Sequence, residues 1–175
     1  MEIYCYRELP VFDFRPYHVG DRQMKNQWIV PDIHGHLKTL KFLIEDRIAL
    51  SKSDSIYFLG DYIDRGPDSK GVIDFIMNLQ NSGYDVHCIR GNHEDYCIRA
   101  WESDQNCFLF RSKIEKDWRK NGALRTLQSF GVKRPREIEQ RYIDWMKQTE
   151  YYVELDDYIL LHAGFNFKIK NPLED

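Results

Sequence analysis

The sequence predicts an α/β fold built on a largely parallel sheet. Three observations carry that expectation. The apolar runs QWIV (27–30), SIYFL (55–59) and DVHCI (85–89) recur as short strand candidates. Each opens into a loop rich in Gly, Asp, Asn or His, and helical spacing of apolar residues resumes afterwards. Strand, loop and helix in repeated succession is the pattern of parallel strands with covering helices.

Taken in order, residues 1–26 form an N-terminal extension rich in aromatics, Pro and Gly, with no sustained period and no role that its residues suggest. Alternation over Glu2–Arg7 reads as an edge strand. QWIV runs into PDIHGH and then a helix in which Leu37, Leu40, Ile44 and Ile48 recur at spacings of three and four. SIYFL ends at the corner FLGDYIDRGPDS (58–69), where Asp61, Asp64 and Asp68 crowd around Arg65. A helix over Val72–Leu79 follows, with Gly83 as its stop. DVHCI ends in the loop RGNHED (90–95). Residues 105–149 read as helical, broken near Gly131 and again at Pro135. The runs YYVEL and YILLHAGF flank Asp156-Asp157 as a hairpin with an Asp-rich turn.

At 175 residues the chain suits one sizeable core, and 42% hydrophobic with 14% aromatic residues excludes disorder. A net charge of −3 provides no global field for nucleic acid or anionic lipid. No apolar run reaches membrane-spanning length, and the amino terminus lacks a secretory profile. Cys5, Cys88, Cys97 and Cys107 show no CxxC pairing and read as reduced, buried thiols of a cytoplasmic protein. Between Arg111 and Arg141, ten Lys or Arg stand against four Asp or Glu. That excess reads as a solvated helical face, with a cap attracting anionic substrate as the sharper alternative.

The chemistry concentrates at strand ends. The first loop offers Asp32 and His34, the second Asp61, Asp64 and Arg65, the third Asn92, His93 and Glu94, and His162 follows the last strand. Loops at the carboxyl ends of parallel strands converge, so these groups are expected to meet. Carboxylates crowded this closely repel each other and need cations to hold them. Mixed carboxylate, amide and imidazole donors suit Mn, Fe or Zn rather than thiolate chemistry. His36 reads as a helix amino-terminal residue, His18 and His87 as incidental, and Glu94 as a brace for its own loop.

DxHG, GDxxDRG, GNHE and a strand ending in HAG, in this order over residues 27–166, closely resemble the phosphoprotein phosphatase branch of the calcineurin-like metallophosphoesterases. The resemblance implies a four-layer architecture, a metallophosphoesterase β-sandwich flanked by helices, that is C-terminally truncated here. Residues 27–175 would be an incomplete metallophosphoesterase domain, with a helical cap-like segment at about 105–149. It implies two divalent metal ions, Mn first and Fe or Zn as alternatives. Asp32, His34 and Asp61 would hold one ion. Asp61 would bridge to a second, held also by Asn92 and His162. His93, oriented by Asp64, would protonate the leaving oxygen, while Arg65 and Asn92 would bind phosphoryl oxygens. A guanidinium fork suits that task better than a lysine.

The expected activity is phosphate monoester hydrolysis, foremost by a serine/threonine protein phosphatase. The alternatives are a symmetrical bis(5'-nucleosyl)-tetraphosphate hydrolase and a catalytically impaired metal-binding fragment. The expected partners are a phosphorylated protein or a nucleotide substrate, with no nucleic acid and no membrane. Two departures stand out. Pro31 occupies the place of a glycine in the first motif, which removes an N–H donor there. The later glycine-histidine motif of the family is missing after His162, which predicts a weakened second metal site and self-association through uncovered apolar surface.

Overall fold

The structure is a computed structural model that describes residues 25–105, 110–165 and 168. Strands β1 (Gln27–Val30), β2 (Ser55–Phe58) and β3 (Asp85–Cys88) form a parallel sheet in that order. Their register pairs Val30 with Phe58 and Phe58 with Cys88, so the three carboxyl ends lie level. Strands β4 (Tyr152–Glu154) and β5 (Ile159–Leu161) make the expected antiparallel hairpin. Glu150 bridges to Ile89 in parallel fashion, which ties the start of the hairpin to the edge of the first sheet. The alternation expected near the amino terminus lies outside the described residues.

Period-two alternation gives the parallel sheet two different faces. Ile56 and Phe58 enter the main core with Val30, Ile73 and Ile76, all at most 5% exposed. Each such side chain contributes about 1.5–3 kcal/mol by leaving water. Tyr57 and Ile89 point the other way and pack with Leu160 under the hairpin. Ile29, on the β1 edge of that second face, remains 51% exposed.

Helix α1 (Leu37–Lys41) starts at His36 and continues as a π-helical turn over Phe42–Ile48, ending at Ala49 with φ +50°. Leu40 and Ile44 are its buried residues, as their spacing predicts. Helix α2 (Ser69–Asn81) is capped by Asp68, whose carboxylate accepts the Gly71 N–H at 2.8 Å. Gly83 follows its end with φ +79°. Helix α3 spans Asn92–Gln105 and is separated from the end of β3 by three residues, so Asn92, His93 and Glu94 occupy a first helical turn rather than a loop.

The segment after α3 holds α4 (Lys113–Lys120), α5 (Ala123–Ser129), a short 3₁₀ turn at Pro135–Glu137 and α6 (Gln140–Gln148). The break at Asn121-Gly122 is additional to those expected at Gly131 and Pro135. Buried Trp118, Leu127, Tyr142 and Ile143 join the main core, while Lys113, Lys116 and Lys120 face solvent. Cys88 and Cys97 are buried free thiols, and burial pushes Cys88 up to about 12. Among the described residues, no helix is long and apolar enough to cross a membrane.

Candidate active site

The ends of β1, β2 and β5 and the start of α3 meet at one corner. The first two loops are stitched by backbone bonds, with His34 N–H donating to Asp61 O at 2.8 Å and Gly35 N–H to Tyr62 O at 2.8 Å. The side chain of Glu94 clamps the same corner from α3. Its Oε2 accepts the N–H groups of Asp61 (2.9 Å) and Gly91 (3.0 Å), and its Oε1 accepts those of Tyr62 (2.9 Å) and Ile63 (3.3 Å). Burial, then the charge of Asp61, push the Glu94 carboxyl up to about 8, and the amide donors pull against that rise.

Local strain accompanies this close packing. His34, Asp61, Asp64 and Arg65 all hold positive φ, between 44° and 71°. Such conformations cost on the order of 1–3 kcal/mol each and concentrate at functional sites. At Gly91 a Cβ would lie 2.2 Å from Asp61 Oδ1, so only glycine lets the two loops approach this closely.

Two overlapping clusters of metal-ligand type result. His34, Asp61 and His93 can bring one ligand atom each within 4.8 Å of one another, and so can Asp32, Asp61 and His162. Asp61, 3% exposed, is common to both. Its Oδ2 lies 3.5 Å from His34 Nε2, and its Oδ1 lies 3.4 Å from His162 Nε2. Asp32, more exposed, stands 3.9 Å from each of these two imidazoles. Asn92 Oδ1 lies 3.0 Å from His162 Nε2. The sequence reading groups Asp32 with His34. Spatially it sits equally close to His162, which a strand-end residue with an exposed side chain can do.

This donor set fits divalent cations. His34 Nδ1 donates to Ile63 O and His162 Nδ1 to Leu59 O, each at 2.8 Å. In the neutral rings the Nε2 lone pairs therefore face the Asp61 carboxylate; that of His34 takes an N–H of Arg65 at 2.6 Å, while at His162 acceptor meets acceptor, a mismatch that a cation resolves. Carboxylate, amide and imidazole without thiolate suit Mn, Fe or Zn.

Beside the clusters, His93 Nδ1 meets Asp64 Oδ2 at 2.6 Å, with the two side chains essentially buried. Burial lowers the His93 pKa, but the Asp64 bond and the charges of Asp61 and Asp64 outweigh it and leave the value raised. The Arg65 guanidinium spans the mouth, contacting His34 Nε2 at 2.6 Å and His93 Nε2 at 3.1 Å. The corner can thus bind an anion at Arg65 while presenting a carboxylate-supported imidazole. Every residue singled out at the strand ends is present here.

Sequence reasoning missed two groups. Trp118 Nε1–H donates to Asp64 Oδ2 at 2.7 Å, and Thr126 Oγ1–H donates to Asp64 Oδ1 at 2.5 Å. Both come from the basic segment, whose charges hide two uncharged inward residues. A Trp and a Thr eight apart on interrupted helices carry no recognisable period.

Comparison with known proteins agrees with this geometry. The family model for calcineurin-like phosphoesterases matches residues 26–173. A symmetrical bis(5'-nucleosyl)-tetraphosphatase of Pseudomonas putida is 27% identical over 140 residues, covering 78% of this chain and 41% of the relative. Serine/threonine-protein phosphatase 2 of Escherichia coli is 35% identical over 92 residues, covering 52% of this chain and 40% of the relative. A protein serine/threonine phosphatase structure from Saccharomyces cerevisiae shares the fold, with a TM-score of 0.56 at 16% identity over 81% of this chain and 38% of that one. The chain therefore spans about two-fifths of the length of the curated relatives it matches.

Proposed function

Because the chain belongs to the calcineurin-like phosphoesterase family, we propose that it is a dimetal phosphoesterase of phosphate monoesters, foremost phosphoserine and phosphothreonine in proteins. One observation carries this reading: a buried Asp61 carboxylate faces the Nε2 atoms of His34 and His162 from opposite oxygens. A carboxylate shared in this way suits two adjacent cations.

In this reading Asp32, His34 and Asp61 hold one ion, and Asp61, Asn92 and His162 the other. Manganese is the first choice, with iron or zinc as alternatives. When bound, the pair supplies Lewis-acid polarisation and a nucleophile at neutral pH. The chain's own residues do the rest. Arg65 and Asn92 orient the phosphoryl oxygens, and the planar fork of Arg65 matches two of them. His93 Nε2 gives its proton to the departing oxygen, while Asp64 holds Nδ1–H and stabilises the charged ring beforehand.

A second reading, hydrolysis of symmetrical dinucleoside tetraphosphates, is favoured by the longer of the two alignments, 140 residues against 92. The test is kcat/KM of the manganese-loaded chain on a phosphopeptide and on diadenosine tetraphosphate. Preference for the phosphopeptide is expected, and the opposite preference selects the second reading. Two bound metals with no turnover of either, or of a simple aryl phosphate, would make this chain a metal-binding fragment without catalysis.

A further inference from the structure

Asp64 is fully buried, and each of its oxygens is committed. Oδ2 accepts from His93 Nδ1 and from Trp118 Nε1, at 2.6 and 2.7 Å. Oδ1 accepts from Thr126 Oγ1 at 2.5 Å. Thr126 Oγ1 in turn accepts the Asp64 N–H at 2.8 Å and lies 3.0 Å from Ser69 Oγ. The same segment presses on the next residue. Gly122, at φ +112°, sits so close to Arg65 that a Cβ there would lie 3.0 Å from the Arg65 nitrogen. Helices α4 and α5 thus hold the Asp64-Arg65 corner from behind, 54 and 62 residues along the chain.

We propose that Trp118 and Thr126 are positioning residues for proton delivery by His93, an inference that rests on the reading of His93 as the acid. They act through Asp64. A carboxylate with only the imidazole as partner could rotate about χ2 and carry the ring with it. Donors on both oxygens remove that freedom, so Nδ1–H stays on Asp64 and Nε2 stays aimed at the mouth beside Arg65. In the step itself an oxygen from water forms a new P–O bond as the P–O bond to the leaving group breaks, the electron pair of the broken bond goes to the leaving oxygen, and that oxygen takes the Nε2 proton. His93 ends neutral with Nδ1–H retained, and Asp64 stays ionised throughout. Small angular errors at such a donor are costly, because proton transfer requires hydrogen-bond reach of the reacting oxygen.

The test uses Trp118→Phe, which keeps most of the ring and removes the N–H, and Thr126→Val, which keeps the volume and removes the hydroxyl. Thr126→Ser restores the hydroxyl as a rescue, and Ser69, whose Oγ accepts the Asp64 N–H at 3.1 Å, is left in place in all three. The first readout needs neither metal nor turnover. In the metal-free chain labelled at histidine nitrogen, solvent exchange of the His93 Nδ1 proton should accelerate about tenfold in W118F and T126V, and revert in T126S. Unchanged exchange in W118F and T126V would overturn the proposal.

The second readout separates positioning from general damage. Phenyl phosphate has a poor leaving group that needs the proton, whereas 2,4-dinitrophenyl phosphate has a good one that does not. In the manganese-loaded chain, kcat on phenyl phosphate should fall about tenfold in both variants, with less than about a twofold change on the dinitrophenyl ester. Equal losses on both esters would make these residues structural only and overturn the proposal. His93→Ala calibrates the assay. If that variant loses both esters equally, His93 is not the acid, and the proposal falls with that reading rather than by itself.

Discussion

Glu94 Oε2 accepts the backbone N–H of Asp61 at 2.9 Å, so a residue on helix α3 positions a strand-end aspartate 33 residues earlier in the chain. The same carboxylate holds the amides of Gly91, Tyr62 and Ile63. Glu94 is 0% exposed, so water cannot replace it for these donors. The corner that carries the candidate ligands is thereby built as one piece, from backbone outward.

Glu94→Ala should therefore destabilise the fold by about 3 kcal/mol or more, since unpaired buried donors cost roughly 1–3 kcal/mol each and relaxation recovers part of that. Glu94→Gln keeps one acceptor oxygen and should lose less. Urea denaturation of the metal-free proteins measures both. A loss below about 1 kcal/mol for the alanine variant would mean that the four amides find other partners.

Asp61 belongs to both candidate metal clusters, and its charge is the common element. Asp61→Asn preserves the shape and removes that charge. Affinity for manganese should fall about tenfold or more at each of two sites, read by calorimetry and by metal analysis after gel filtration. Loss of one equivalent with the other unchanged would show that Asp61 serves a single ion.

The raised pKa of His93 implies a pH-dependent stability with a definite sign. A base whose folded pKa exceeds its ordinary value near 6.5 binds its proton more tightly in the folded state. That stabilisation is complete below about 6.5 and is lost as pH rises through the folded value. The metal-free protein should therefore lose more unfolding free energy between pH 6 and pH 9 than His93→Gln does over the same interval. Parallel losses would mean that His93 contributes nothing to the slope.

Much of the candidate site was legible because its residues are local. Asp32 and His34 sit two apart at a strand end, and GDxxDRG and GNHE sit at the next two. A parallel sheet with level carboxyl ends must bring such positions together, whatever covers the sheet. The hairpin around Asp156-Asp157 was legible for a similar reason, since two short apolar runs about a polar turn have little choice. The helical start of α3 was not. Asn and His carry weak helix preference, and the first turn there is held by Glu94 reaching back to backbone amides, a contact that no local pattern announces.

By itself, then, the sequence determined the α/β alternation, the strand ends and the residue types that gather at them, because hydrophobic periodicity and turn chemistry act over a few residues. Only the tertiary structure decided how those groups are shared and held. Asp61 lies between two imidazoles that come from strands at opposite ends of the chain. Asp32 stands equally near both rings. Asp64 takes its remaining hydrogen bonds from Trp118 and Thr126, inside a segment whose composition speaks only of positive charge. Such partners are chosen by packing between distant helices and by the demand that a buried carboxylate have every oxygen satisfied, and neither leaves a period in the sequence.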